Sequence, residues 1–302
     1  MIDAHHHLWD PRAREYDWLG GGQPWASDED LAKLRHPFTL ADLRPLATDA
    51  GVTGTVAVQT VDDEWETRDL LALAAGIDLD GNAIGSSHAN PLLAGVVGWV
   101  DLTSPDVEGA VARLRAQPGG SFLRGIRHPL LSEPDPAWLT RPDVLRGLRG
   151  LGNTGLCFDV IALPHQLESA VAAARSVPEV SYVLNHLGGP PVGTGERPGD
   201  STWASTIRSL GELSNVTCKL SGIHGPSVRA SALRPYYATV LEAFGPDRLM
   251  FGSDWPVSSL AAAYGEVCAL YRELTADLTA ADQAAVFDRT ARRVYGLGEA
   301  ST

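Results

Sequence analysis

The chain begins Met1-Ile2-Asp3-Ala4-His5-His6-His7-Leu8-Trp9-Asp10, a short run that predicts a first β-strand ending in histidines. Side chains alternate between the two faces of a strand, so the pattern predicts that Asp3, His5 and His7 share one face and that His6 points to the other. A carboxylate and two imidazoles on one face are typical of a metal-binding or catalytic edge. An affinity-tag remnant is the plain alternative, but apolar residues flank the run directly on both sides. The histidines therefore predict a functional edge at the top of a strand.

Short apolar segments alternate with helical segments through the rest of the chain. The apolar segments are near-continuous runs, as expected for strands whose outer face is covered by helices. The segments predicted as strands after the first are 51–59, 92–100, 122–128, 155–162, 180–186, 216–221 and 248–254. One helix is predicted to begin at Thr39, and the others cover 64–77, 105–117, 137–151, 164–175, 203–213, 230–244, 259–274 and 280–295.

Eight strands, each followed by a helix, predict an α/β fold: a single (β/α)₈ barrel of the TIM type, with residues 1–302 as one domain. A long loop over 11–38, rich in Gly, Pro and Trp, follows the first strand, and the 280–295 helix is an extra element at the C-terminus. An open doubly wound sheet is the alternative. However, the run Gly20-Gly21-Gly22 does not lead directly from a strand into a helix, as a dinucleotide-binding loop does.

The composition limits the class of protein. With 302 residues, 44% hydrophobic and 20% charged, the chain is typical of a soluble globular protein. A formal net charge of −13 argues against a nucleic-acid or anionic-membrane partner, because phosphate binding needs clustered Lys and Arg. The sequence shows neither a long apolar run nor a signal-peptide pattern, and its three cysteines (Cys157, Cys218 and Cys268) lack metal-type spacing. We therefore expect a cytoplasmic protein that acts on a small molecule, either as a monomer or as a homo-oligomer.

Polar residues stand at or near the carboxyl ends of the predicted strands, where barrel enzymes carry their chemistry. Any one of them has a structural explanation; Asp254, for example, could cap the following helix. Burying so many polar groups on one rim without a purpose would be costly. The residues are His5 and His7 on strand one, Gln59 on two, Trp99 and Asp101 on three, Arg127 and His128 on four, Asp159 on five, Asn185 and His186 on six, Lys219 and Ser221 on seven, and Asp254 and Trp255 on eight.

Alternation along strands one, six and eight predicts that four of these side chains converge near the barrel axis. Three imidazoles and a carboxylate suit one Zn²⁺ or a similar divalent ion, with a position left open for water or substrate. The same counting turns the neighbouring His6 and Asn185 outward, into the helix layer. The four predicted ligands are His5, His7, His186 and Asp254.

Five stretches of the sequence carry a family resemblance: DAHHHLWD (3–10), GVVGWVDL (95–102), RGIRH (124–128), NHLGGP (185–190) and FGSDWP (251–256). They resemble the amidohydrolase superfamily, specifically its amidohydrolase-2 branch of sugar-lactone hydrolases, such as the lactonases of L-fucono- and L-rhamnono-lactones. The stretches spread over nearly the whole chain and stay in register with the predicted strands. The resemblance implies a distorted barrel, a His-x-His pair on strand one, a His on strand six and an Asp on strand eight that acts on water.

The chain departs from the metal-rich members of the superfamily at two positions. Asp159 stands on strand five where those members have a His, and Arg127 stands on strand four where they have a bridging lysine. The resemblance therefore implies one divalent ion, Zn²⁺, rather than two. Members of the branch that work without metal leave a metal-independent reaction as the alternative.

The expected reaction is hydrolysis of a lactone, for which we favour a neutral, hydroxyl-rich aldonolactone. Asp254 would take a proton from water, and a metal ion or His186 would polarise the carbonyl. The alternatives are a metal-dependent decarboxylase of the same branch, a lactonase acting on a carboxylated substrate, and a barrel that only binds a ligand. Arg127 and Lys219 either contact the substrate or pair with Asp159. The residues predicted to bind substrate are Arg127, Lys219, Asp159, Trp99, Gln59 and Trp255.

Overall fold

A computed structural model describes residues 1–23, 25–78, 92–193, 199, 201–222 and 229–298; Pro24 of the predicted long loop lies outside these ranges. Eight strands form one sheet, and all neighbouring strands in it run parallel in chain order. The strands are β1 (Ile2–His6), β2 (Gly54–Val58), β3 (Leu93–Gly98), β4 (Leu123–Pro129), β5 (Cys157–Ile161), β6 (Tyr182–Leu184), β7 (Val216–Leu220) and β8 (Leu249–Phe251).

The sheet closes into a barrel where the end of β1 meets the segment after β8. The N–H of His7 donates to the carbonyl of Trp255 at 2.7 Å, and the N–H of Asp254 donates to the carbonyl of His5 at 2.7 Å. These bonds satisfy the backbone groups that an open sheet would leave at its edges. The predicted (β/α)₈ barrel is therefore confirmed.

Helices follow the strands and cover the outer face of the barrel. The helix predicted over 230–244 has those bounds, whereas the others differ by a few residues at their ends, and a π-helical turn, Ala285–Arg289, interrupts the one predicted over 280–295. Within the described residues, no helix is long and apolar enough to span a membrane. The helices are α1 (Asp28–Lys33), α2 (Leu40–Asp49), α3 (Glu64–Ala74), α4 (Val107–Arg115), α5 (Pro142–Asn153), α6 (Leu167–Ser176), α7 (Thr202–Gly211), α8 (Ala230–Phe244), α9 (Tyr264–Leu274), α10 (Ala280–Ala284) and α11 (Thr290–Tyr295).

Two apolar layers hold the barrel together. The larger one lies between the strands and the surrounding helices. The smaller one fills the barrel interior, where strand residues such as Ile2, Val97 and Met250 pack with Tyr295 and Leu297 from the C-terminus. The extra C-terminal helix therefore supplies part of the barrel core.

The loop after β1 has a core of its own. It contains α1, whose first turn is capped by Ser27: the N–H of Asp30 donates to its hydroxyl oxygen at 3.1 Å. Trp9, Leu31 and Leu34 are buried together in a separate apolar cluster. This cluster fixes the loop over the carboxyl ends of the strands.

Candidate active site

A register shift in β1 decides which of its side chains face the site. The pairing of β1 with β2 shifts between Asp3 and His6. The side chain of Asp3 points away from the site, and its carboxylate accepts a hydrogen bond from the hydroxyl of Tyr264 on α9 at 2.9 Å. His5 turns inward beside His7, with their Nε2 atoms 3.2 Å apart. The prediction that Asp3 shares their face was wrong, because simple alternation does not continue through the shift.

The end of β6 also departs from simple alternation. The strand ends at Leu184, two residues earlier than predicted, and His186 and Leu187 adopt left-handed conformations with φ of 56° and 53°. His186 reaches the site through this turn and not as a strand residue. Asn185 faces inward, where its amide donates to Asp159 at 3.0 Å, so the prediction that it points into the helix layer was wrong.

Asp254 occupies a similar turn after β8, with φ of 58°. The N-cap residue of the following 3₁₀ turn, Val257–Leu260, is Pro256 and not Asp254. Opposite it, Gly222 follows β7 with φ of +72°, and a Cβ there would lie 2.2 Å from the ring of His186. Glycine is therefore required at 222 both by the backbone conformation and by the close approach of the imidazole.

The four predicted ligands come together around one carboxylate oxygen. Oδ1 of Asp254 lies 3.3 Å from Nε2 of His7, 3.6 Å from Nε2 of His5 and 3.9 Å from Nε2 of His186. Asp254 is 2% exposed and His5 is fully buried. These side chains, brought from three different strand ends, form one compact cluster at the carboxyl end of the barrel.

Hydrogen bonds behind the imidazoles fix how they face the cluster. Nδ1 of His7 lies 2.7 Å from the carbonyl of Val58, which can only accept, so the ring proton sits on Nδ1 and the lone pair of Nε2 faces Asp254. Nδ1 of His186 lies 2.9 Å from the hydroxyl of Ser221. Burial lowers the pKa of His5 and of His7 well below the usual value, and nearby cations lower both further. Both rings are therefore neutral at neutral pH, the form that binds metal ions.

This donor set fits one divalent ion. Two ligand atoms about 2.0–2.1 Å from a tetrahedral zinc lie about 3.3–3.4 Å apart, close to the shorter separations in the cluster. Ligand atoms of His5, His186 and Asp254 all lie within 4.8 Å of one another. Nζ of Lys219 lies 3.3 Å from Nδ1 of His5. An ammonium only donates, so Nδ1 accepts from Lys219 when the ring proton is on Nε2, whereas binding of a cation by Nε2 moves that proton to Nδ1.

A fully buried ion pair lies behind His5. Nζ of Lys219 donates to Asp159 at 2.6 Å, and the hydroxyl of Tyr295 contacts both oxygens of the same carboxylate at 2.9 and 3.0 Å. Burial lowers the pKa of Lys219, and the charge of Asp159 opposes that effect. Of the two roles predicted for Lys219, the structure therefore supports pairing with Asp159 over contact with substrate.

Arg127 lies at the inner wall of the cavity. Its Nε and Nη2 donate to Oε1 of Gln59 at 3.2 and 3.0 Å, and Nη2 also donates to the Gln59 carbonyl. Nη1 points to Oδ1 of Asn185 at 3.5 Å. Gln59 thus positions the guanidinium, and Arg127 is the member of the pair that lines the cavity.

The cluster opens into a cavity of about 620 Å³. Imidazole, guanidinium, amide and carboxylate groups line its inner part, and indole rings and further carboxylates line its outer part. The inner group is His7, Arg127, Asn185, His186 and Asp254, and the outer group is Glu15, Asp17, Trp18, Trp25, Asp62, Asp63 and Trp65.

Several residues predicted to bind substrate lie behind the cavity wall. The indole N–H of Trp99 donates to His128 at 3.2 Å, and Trp255 packs edge-on against Phe38 at 5.4 Å. Neither lines the cavity, and the same holds for Gln59, Asp159 and Lys219. The polar groups of Trp99, Gln59, Asp159 and Lys219 are engaged by other residues and not presented to the cavity, which supports positioning roles for these four.

Other wall residues were absent from the sequence prediction. Asp62, Asp63 and Trp65 follow β2 within a few residues, so an acidic and aromatic loop directly after a strand was the signal that could have revealed them.

The chain is similar to known proteins over nearly its whole length. The amidohydrolase family model matches residues 2–297, so the chain belongs to the amidohydrolase family. An L-fucono-1,5-lactonase of Burkholderia multivorans is 35% identical over 99% of this chain and 96% of its own length. An L-fucono-1,5-lactonase of Burkholderia ambifaria is 33% identical over 88% of this chain and 83% of its own length. The crystal structure of an amidohydrolase from Burkholderia multivorans with bound zinc superposes with a TM-score of 0.84 at 34% identity, covering 98% of this chain and 99% of that one.

Proposed function

We propose that this enzyme of the amidohydrolase family hydrolyses the lactone of a neutral sugar acid to the open-chain hydroxy acid. The observation that carries the proposal is the buried carboxylate of Asp254, which lies 3.3–3.9 Å from three imidazoles at the inner wall of a cavity of about 620 Å³. The similarity to two L-fucono-1,5-lactonases over most of the chain supports the same reaction.

Asp254 is the proposed proton acceptor. Its carboxylate takes a proton from the water that attacks the lactone carbonyl, and then returns it to the ring oxygen when the C–O bond breaks, so that the product is a hydroxy acid. General acid–base help of this kind is typically worth about 10²–10⁴-fold in rate. Asp254 is 2% exposed, which keeps bulk water from competing for that proton.

The neighbouring side chains bind and orient the lactone. Arg127 and His186 line the inner cavity. Arg127 can donate to the lactone oxygens, and His186 can donate from Nε2 when that nitrogen does not bind an ion. A divalent ion held by His5, His7, His186 and Asp254 would supply Lewis acidity to the carbonyl, and we propose Zn²⁺ because those residues are nitrogen and oxygen donors at suitable spacing.

The charges of the cavity favour a neutral, hydroxyl-rich substrate. Within the described lining, Arg127 is the one Lys or Arg side chain, and it already donates to Gln59. Five carboxylates line the same cavity. Carboxylates accept hydrogen bonds from sugar hydroxyls and repel a second carboxylate, and flat indoles suit the faces of sugar rings. The described cavity thus lacks the converging guanidinium groups that a dicarboxylate lactone would need.

A lactone panel with a pH-indicator readout tests the proposal. The panel contains L-fucono-1,5-lactone, other five- and six-membered aldonolactones, a pyrone dicarboxylate, and an aromatic carboxylic acid monitored for CO₂ release. The proposal predicts turnover of at least one neutral aldonolactone and little or none of the two carboxylated compounds. Turnover of the pyrone dicarboxylate or of the aromatic acid alone would contradict it.

A further inference from the structure

The segment that joins β2 to α3 forms one side of the substrate cavity. We call residues 59–63 the wall segment. Thr60, Val61, Asp62 and Asp63 all line the cavity, and Trp65 from the first turn of α3 continues the same surface. The position of this segment therefore sets the width of the cavity.

Glu66, on the first turn of α3, holds the wall segment from the helix side. It is 1% exposed, and its carboxylate accepts from the N–H of Thr60 at 2.6 Å, from the hydroxyl of Thr60 at 2.6 Å and from the N–H of Val61 at 3.0 Å. A glutamate at this helix position ordinarily accepts from the backbone of the capping residue, which here is Asp63. Glu66 instead reaches further back to the wall segment, so helix capping does not account for its contacts.

Arg127 holds the same segment from the barrel side, through the side chain and carbonyl of Gln59. The wall segment thus lies between a guanidinium of the inner cavity and a buried carboxylate of the helix layer. Loss of Glu66 would free one side of the segment and leave the other side in place.

From these contacts, and resting on the proposed function, we propose that Glu66 is a positioning residue that holds the wall segment in the shape that binds substrate. Its carboxylate lies behind the wall and touches neither Asp254 nor the cavity. Glu66 therefore acts on substrate binding and not on proton transfer.

The charge state of Glu66 adds a pH dependence to this role. Burial raises the pKa of Glu66 to about 7, although its hydrogen bonds and the charge of Arg127 on β4 lower it. Among the described residues, Tyr16 in the loop after β1 also faces Glu66, and its pKa is raised by burial and by the charge of Glu66. Above pH 7 the ionised carboxylate accepts all three bonds. Below pH 7 the protonated acid accepts more weakly, so KM for the lactone is expected to rise as the pH falls through 7.

Two substitutions at position 66 and one control test the proposal. Glu66→Ala removes all three acceptor contacts, and is expected to raise KM by at least about tenfold while kcat stays within about threefold of wild type. Glu66→Gln can still accept from both backbone N–H groups and donate to the Thr60 hydroxyl, but its neutral amide accepts as weakly as the protonated acid. Its KM is therefore expected to lie well below that of Glu66→Ala, near the low-pH value of wild type, and not to change near pH 7. Glu64→Ala is the control, because Glu64 lies on the same helix turn and pairs at the surface with Arg68 at 2.8 Å.

Hydrogen–deuterium exchange gives a readout that does not depend on turnover. At a fixed pH, the peptide spanning 59–66 should exchange at least about tenfold faster in Glu66→Ala than in wild type or Glu64→Ala. Unchanged exchange and KM in Glu66→Ala, a fall in kcat at constant KM, or a Gln variant that keeps the pH dependence of KM would overturn the proposal. If Glu66→Ala does not fold, the Gln variant still decides through its pH profile. If wild type hydrolyses no lactone, the proposed function fails, while the exchange rates still decide whether Glu66 holds the wall segment.

Discussion

Replacement of Lys219 by Met is expected to destabilise the barrel strongly, because it leaves the carboxylate of Asp159 buried without its cation. Both side chains are fully buried, and Nζ lies 2.6 Å from the carboxylate oxygen. Breaking a buried pair by removing one partner typically costs about 3–5 kcal/mol. In a chain of this size about 1 kcal/mol shifts the melting temperature by roughly 2–4 °C, so Lys219→Met should lower Tm by roughly 6–20 °C.

The double variant Lys219→Met/Asp159→Asn isolates the charge effect. Tyr295 and Asn185 can still hydrogen-bond to the new amide, so the double variant should melt higher than Lys219→Met alone. Calorimetry of wild type, both single variants and the double variant completes the cycle. As a control, Lys33→Met removes one partner of an exposed pair with Asp30 and should change Tm little. If the losses of Tm in the two single variants simply add in the double variant, Lys219 and Asp159 do not stabilise the barrel as a pair.

Two further predictions concern the histidines and a glycine of the site. Burial lowers the pKa of His5, His6 and His7, so the stability that these neutral rings contribute is present above about pH 6.5 and is lost as the pH falls, by up to about 1.4 kcal/mol per pH unit for each ring. The raised pKa of Glu66 has the opposite effect: between its unfolded value of 4.5 and about 7, it offsets the loss of stability from one of the three histidines. The other two still lower the stability, so Tm should fall between pH 6.5 and 5. A constant or rising Tm would contradict this. Gly222→Ala should reduce kcat by at least about tenfold by displacing His186, whereas Gly155→Ala, with the same φ of +72° and no atom within 4 Å of the added Cβ, should leave kcat unchanged. Equal kcat in the two glycine variants would show that the contact with His186 does not matter.

The fold could be predicted from the sequence because its signals are repeated and local. Apolar runs and helical segments alternate eight times, and small errors at their ends do not change the topology. The local backbone conformation near the site was harder to predict from the sequence. Alternation placed Asn185 outward, but β6 ends at Leu184 and the chain turns through left-handed residues, which period-two counting cannot anticipate.

The convergence of His5, His7, His186 and Asp254 was nevertheless predicted, because each stands at a strand end on the same rim. The sequence did not predict which of the strand residues line the cavity and which lie behind its wall. Lys219 and Asp159 are ionisable residues on the strands β7 and β5, and only their mutual distance of 2.6 Å shows that they satisfy each other. The role of Glu66 depends on contacts between a helix and a loop, for which the sequence carries no periodic signal.

The most direct test of the account is the rate of lactone hydrolysis by Asp254→Asn. Asparagine keeps the size of the side chain and tolerates the left-handed backbone at this position, where φ is 58°. Metal content is measured beside the kinetics, so that loss of an ion can be separated from loss of the proton acceptor. In Asp254→Asn, kcat for the neutral aldonolactone is expected to fall by at least about 10²-fold with only a modest change in KM. Hydrolysis by Asp254→Asn at a rate near that of wild type would contradict the proposed role of this carboxylate.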